Sequence, residues 1–159
     1  MMRFKKSLLR DKRGAALIEM GLLLPVMATV VIGVADISRA YSQKLLLEQA
    51  AYRAIEKVQQ YQSTESTYNT LQNDAVSAAT AAGFTDVTTA SVTVDYWLEC
   101  NGVRQASYDT VCTSGQTYAR WISIDVVHNF TPMFASSKWP GSNSDGTYTL
   151  HGRAALRTQ

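Results

Sequence analysis

The chain has 159 residues, with fifteen Lys or Arg against thirteen Asp or Glu and a formal net charge of +2. The charge is unevenly placed: residues 1–13 carry Arg3, Lys5, Lys6, Arg10, Lys12 and Arg13 against Asp11, a net of +5, and the remainder nets −3. A basic excess confined to one short head gives no support for nucleic-acid binding, and the length holds one modest domain plus an appendage.

The head runs into RDKRGAALIEMGLLLP, and from Ala15 to Ala35 the sequence is AALIEMGLLLPVMATVVIGVA, with Glu19 its one charge. As a helix rising about 1.5 Å per residue, this run spans roughly 30 Å, one bilayer core. Pro25 removes one backbone hydrogen bond and permits a bend, which a membrane helix tolerates. By the positive-inside rule the basic head stays in the cytoplasm and the body lies across the membrane. A cleaved signal peptide, cut after Gly33-Val34-Ala35, is an alternative, as is a plain uncleaved anchor. The apolar run exceeds the usual signal core, and Glu19 is out of place in one. A carboxylate at the centre of a membrane helix costs about 2.5–3.5 kcal/mol on insertion scales, so Glu19 demands a reason.

Residues 36–60 contain no Gly or Pro and continue the helix, with Leu47, Ala51, Ala54, Ile55 and Val58 forming one apolar stripe. That stripe is expected to face the protein's own globular part. After the polar YQSTES break, a second helix is expected over 67–82. Its inner face would be Tyr68, Leu71, Ala75, Ala78, Ala79 and Ala82, with Gly83 as the stop.

The period then changes to two. In ASVTVDYWLE, Val92, Val94, Tyr96 and Leu98 alternate with Thr93, Asp95 and Trp97, and Asn101-Gly102 signals a tight turn. In YARWISIDVVHNF, Ile122, Ile124, Val126, His128 and Phe130 share one side. PGSNSDG reads as a loop, and a last strand is expected over 147–156. An antiparallel sheet with helices on its apolar face follows, an α+β fold.

Cys100 and Cys112 lie close in sequence. A zinc site would want more ligands at tighter spacing, and His128 and His151 do not supply a pattern, so the pair reads as a disulfide. It would close a short loop, contribute roughly 2–3 kcal/mol and require an oxidising compartment, in agreement with the topology drawn from the basic head. No phosphate loop, nucleophile elbow or paired-carboxylate pattern is present, so no catalytic residue, metal ligand or cofactor is assigned. Both histidines read as strand residues, and Trp97, Trp121 and Trp139 as core or rim packing. Asn129-Phe130-Thr131 matches a glycosylation sequon, a weak pattern that is discounted here.

Basic residues, then Gly14, then an apolar helix with Glu19 at the fifth position after that glycine: this resembles a type IV pilin or pseudopilin leader. The wider pattern RGAALIEMGLLLPVM, GVADISRAY and LEQAAYRAIE resembles TadE-like minor pseudopilins of the tight-adherence (Tad, type IVc) pilus system. So, loosely, does WISIDVVHNFTPMF followed by YTLHGRAALR. Met20 stands where members often carry an aromatic residue.

The resemblance implies a pilin-like fold, a long N-terminal helix packed on a small antiparallel sheet. It divides the chain into a basic leader peptide (1–14), a transmembrane and assembly helix (15–35), its amphipathic continuation (36–60) and an extracytoplasmic α+β domain (61–159). It implies cleavage between Gly14 and Ala15 by a prepilin peptidase, and pairing of Glu19 with a neighbouring subunit's new amine. The expected partners are that peptidase, other pilin and pseudopilin subunits, the inner-membrane assembly platform and membrane lipid. The expected location is the bacterial inner membrane, single-pass with the N-terminus cytoplasmic and the C-terminal domain periplasmic, with incorporation in a pilus to follow. The alternative is an uncleaved membrane-anchored assembly or binding factor, and a secreted enzyme comes third.

Overall fold

The structure, a computed structural model, describes residues 12–60 and 70–158. Most of the basic head, the YQSTES break and Tyr68 lie outside those residues. Contacts divide the chain into two compact units, Met1–Arg39 and Ala40–Gln159.

Helix α1 covers Lys12–Gln60 and runs through Pro25. It begins at Lys12, three residues before the apolar run expected from the sequence. In the second unit, Leu47, Ala50, Ala51, Ala54, Ile55 and Val58 of α1 are buried, so the expected stripe is the face that meets the core. Helix α2, Leu71–Ala81, buries Leu71, Ala75 and Ala79, and Ala78 and Ala82 pack at the edge of the same core. It stops at Ala81, two residues before Gly83, whose φ is +101°. The Gly83 amide donates to the Thr80 carbonyl and the Phe84 amide to Ala79, both at 3.0 Å. These two bonds satisfy carbonyls that the last turn would otherwise leave unpaired. A short 3-10 turn, Thr89–Ser91, leads into the sheet.

Four strands follow: β1 Val92–Cys100, β2 Val103–Arg104, β3 Tyr118–Phe130 and β4 Tyr148–Arg157. They form one antiparallel sheet in the order β2-β1-β3-β4. Cys100 pairs with Val103 across a two-residue turn in which Asn101 and Gly102 take φ of +50° and +78°. Positive φ at both central residues matches the strand twist, which is why Asn-Gly occupies such turns. Asn101 Oδ1 also accepts from the Thr117 amide (2.9 Å) and hydroxyl (3.1 Å), tying the turn to the start of β3.

The register puts Val92, Val94, Tyr96 and Leu98 of β1 on one face with Val126, Ile124, Ile122 and Arg120 of β3. Gly152, Ala154 and Leu156 of β4 continue that face, against which α1 and α2 close the core. One contact sets how near α1 can come. A Cβ built on Gly152 would lie 2.5 Å from both the carbonyl oxygen and the Cβ of Leu47. The sheet therefore has no side chain at the point where the α1 backbone crosses it.

The opposite face carries the polar half of the alternation. Trp97 and Trp121 stack across β1 and β3, with centroids 6.2 Å apart and planes 12° from parallel. Both indole N–H groups donate to Glu99, at 2.8 and 3.2 Å, and the Arg104 guanidinium lies 4.8 Å over Trp97. His151 Nδ1 and Arg153 Nε each approach Asp125 at 3.0 Å. Both histidines are strand residues, as expected. Trp139 differs: it is 56% exposed in the β3–β4 loop, so the core or rim packing expected for all three tryptophans describes Trp97 and Trp121 only. In the same loop, the Thr147 hydroxyl and then its amide donate to Asp145, holding that carboxyl below its ordinary value.

Gly152→Ala should lower the unfolding free energy by about 1–3 kcal/mol, because the added methyl meets backbone that cannot rotate away. Urea unfolding of the full chain in detergent, followed by tryptophan fluorescence, measures it. An unchanged midpoint would show that α1 can lift off the sheet at no cost.

Candidate assembly and processing site

The sequence places four of the six candidate residues within about three turns of α1, at Gly14, Ala15, Glu19 and Pro25. Gly14 is inside the helix, exposed, with no atom near the position its Cβ would take. Ala15 has helical backbone, and its side chain lies outside the described residues. Glu19 is one turn further, about 6 Å along the axis from Ala15 and on the same face.

What surrounds Glu19 is its own helix. Leu17, Ile18, Met20, Leu22, Leu23 and Leu24 are between 55% and 75% exposed. The apolar window has a mean hydropathy of 2.2, is 0% buried, and belongs to a helix long and apolar enough to cross a membrane. A helix apolar all round is the pattern of a segment that lies in lipid or packs against other helices. In either, an ionised Glu19 needs a cation or a route to water. No acid stands in the first turn of α1, and Glu19, about two turns in, lies beyond the turn over which the helix dipole acts.

Pro25 has no N–H to offer the Gly21 carbonyl, which loses its helical partner. Just beyond, the Thr29 hydroxyl donates back to the Val26 carbonyl at 2.8 Å. Such a bond lets a hydroxyl reside in an apolar helix and is associated with helix bending. The first ion pair after the apolar run is Asp36 with Arg39, at 3.3 Å, where the composition turns polar.

Cys100 and Cys112 belong to the second unit and form a disulfide with Cα atoms 5.6 Å apart. It ties the end of β1 to the loop that leads into β3. Among the described residues, no group of three or more His, Cys, Asp or Glu side chains could hold a metal ion.

Sequence reasoning missed two features of the second unit. The first is Gly152; a lone glycine inside an otherwise alternating strand is a recognised sign of close backbone approach. The second is Arg120, a cation at a position where the alternation calls for an apolar residue.

Residues 14–55 match the family model described as TadE-like protein. The match begins at Gly14, takes in Glu19 and Pro25, and ends inside α1, so α2 and the sheet lie outside it. No curated protein and no solved structure matches the chain.

Replacing both Cys100 and Cys112 by Ser should cost about 2–3 kcal/mol of stability, since the bond closes a short loop in the unfolded chain. Comparing urea midpoints of the oxidised, reduced and double-Ser proteins checks it. The reduced and double-Ser proteins should agree.

Proposed function

We propose, from a TadE-like N-terminal segment on an α+β body, that this chain is a minor pseudopilin of a Tad pilus, a structural subunit with no catalysis of its own. One observation carries the reading. A membrane-length apolar run, exposed over its described residues, holds one acid, and that acid stands five residues after a glycine that follows a basic head.

Each residue then has a task. A prepilin peptidase cuts between Gly14 and Ala15 on the cytoplasmic side, removing residues 1–14. That bond lies in helical backbone, and a protease needs an extended segment. Gly14 lowers the cost of unwinding, since glycine is about 1 kcal/mol less favourable in a helix than alanine. Cleavage turns Ala15 into an N-terminus bearing an ammonium. Glu19 pairs with that ammonium on a neighbouring subunit. In an apolar bundle the attraction is far stronger than at a surface, though desolvation offsets part of it. Residues 15–35 serve as membrane and assembly helix, and 36–60 join it to the outer domain. The exposed Tyr41, Leu45 and Tyr52 of α1 leave apolar helix surface for other pilus subunits. Pro25 supplies the bend.

In this reading the precursor sits in the bacterial inner membrane with its body in the periplasm, where the Cys100–Cys112 disulfide is stable. Its partners are the peptidase, the assembly platform, other pilins and pseudopilins, and lipid. The unbroken helix across Gly14–Ala15 favours a second reading, an uncleaved anchor that recruits assembly partners.

Intact-mass analysis of protein purified from its native membrane separates the two. A mature chain starting at Ala15 is expected, and a chain retaining Met1 would establish the anchor instead. Glu19→Ala should leave membrane insertion and cleavage intact but reduce co-purification with other subunits by about tenfold or more, the scale of a desolvated charge-assisted bond. Undiminished co-purification would sink the amine-pairing role.

A further inference from the structure

The connection from β3 to β4, residues 131–147, presents its large apolar side chains outward. Met133 is 62% exposed, Phe134 57% and Trp139 56%. The loop that carries them is firmly built. Gly146 is buried at a φ of +82°, and a Cβ on it would lie 2.7 Å from the Ser136 amide nitrogen. That close approach pins the end of the loop against its middle. Phe134 and Trp139 are therefore held outward by an ordered segment.

Two further properties say what such a tip suits. The first is that its backbone pairs with itself. The Trp139 amide donates to the Ser136 carbonyl and the Ser142 amide to the Trp139 carbonyl, both at 3.2 Å. The Ser142 hydroxyl lies 2.8 Å from that same Trp139 carbonyl and 3.0 Å from that of Ser136. Pro132 and Pro140 have no N–H to satisfy. A segment that leaves water for a bilayer has to satisfy its backbone internally, because hydrocarbon offers no partner. The second property is charge. From Thr131 to Ser144 the one charged residue is Lys138. The loop's acid, Asp145, accepts from the Thr147 amide and hydroxyl, next to the start of β4.

Exposed Trp and Phe beside a lysine match a bilayer interface. Tryptophan settles at headgroup depth, phenylalanine reaches below it, and a cation meets anionic phosphates. A protein partner instead pairs polar groups across its interface, and here the carbonyls nearest Trp139 are already engaged. Helix α1 is unbroken between the apolar run and the second unit, so a bilayer holding the run faces this unit at high effective concentration. We propose that the 131–147 loop is a second membrane contact, with Phe134 and Trp139 entering the headgroup region of the bilayer that holds the apolar run and Lys138 pairing with lipid phosphate. The proposal rests on the membrane reading of that run, which the pseudopilin and the uncleaved anchor share.

The test uses the full chain in nanodiscs of phosphatidylethanolamine and phosphatidylglycerol, doped with lipid spin-labelled near the headgroup, and reads backbone amide signals. Those of residues 133–139 should be lost, while those of 113–118, at the other end of β3, persist. Signals from 22–34 report separately on the apolar run. Their loss with the loop signals retained would overturn the loop contact and leave the membrane reading standing, and their persistence would overturn both. Phe134→Ser combined with Trp139→Ser should restore the 135–137 signals at an unchanged melting temperature, since both side chains are exposed. Signals still lost in that variant overturn the insertion. Lys138→Glu should bring part of them back, and no recovery overturns the phosphate pairing. If the signals vanish only in discs loaded with two chains, the patch is an interface between copies and the proposal fails.

Discussion

The second unit depends on the contact between the Leu47 backbone and Gly152. Sheet and helix normally stand apart by the thickness of two side chains. Here one is missing altogether, and the α1 residues that follow on the same stripe, Ala50, Ala51 and Ala54, are small. The helix therefore lies low on β4 and β3, and the larger side chains, Leu47, Ile55 and Val58, fill the space on either side. Close packing of this kind tolerates little change of volume, which makes it a rigid platform.

The two halves of α1 meet opposite demands with one secondary structure. From Leu47 onward only one stripe is apolar, and the chain itself covers it. From Leu17 to Val34 large apolar side chains are exposed on every side of the helix among the described residues. The period-3.6 pattern that reads so clearly over residues 47–58 is lost in the earlier half because every face is apolar. That loss is itself the signature of a segment solvated by something other than water.

Much of this was legible in the residues. The strands, their inner alternation, the Asn101-Gly102 turn, the Gly83 stop and the cysteine pair each have a local cause, and local causes can be read from short stretches. The features that were not legible are pairings between distant segments. Gly152 looks like a weak point in β4 until Leu47 is placed above it. Arg120 breaks the alternation of β3 for a reason only the disulfide loop reveals, since that loop and not a helix meets its row of the sheet. Trp139 was expected in core or rim packing, but its loop folds back through Ala135, Ser136 and Gly146 and leaves the indole 56% exposed. As for the candidate site, its residue spacing could be read directly, because Gly14, Ala15 and Glu19 are neighbours on one helix. The helical state of the Gly14–Ala15 bond could not, since the head was expected to stop where the apolar run starts.

Magnitudes clarify what Glu19 can decide. Eleven large apolar side chains between Leu17 and Val34 are exposed by the chain itself. At about 1.5–3 kcal/mol each, their removal from water is worth on the order of 20 kcal/mol. Glu19 opposes this with about 2.5–3.5 kcal/mol even at a bilayer centre, and it stands near the start of the run, where the cost is smaller. On these magnitudes Glu19 alone could not keep such a helix out of lipid. Moving the helix from lipid into a bundle of helices changes little for its leucines and valines, since lipid tails are as apolar as leucine. The large term nearly cancels in that transfer, and small polar terms set its direction. Under the pseudopilin reading, Glu19 is the group whose energy differs most between the two environments: in lipid it reaches for headgroup water, and in a bundle it meets an ammonium. One carboxylate among apolar residues can thus govern assembly while contributing almost nothing to the stability of the fold.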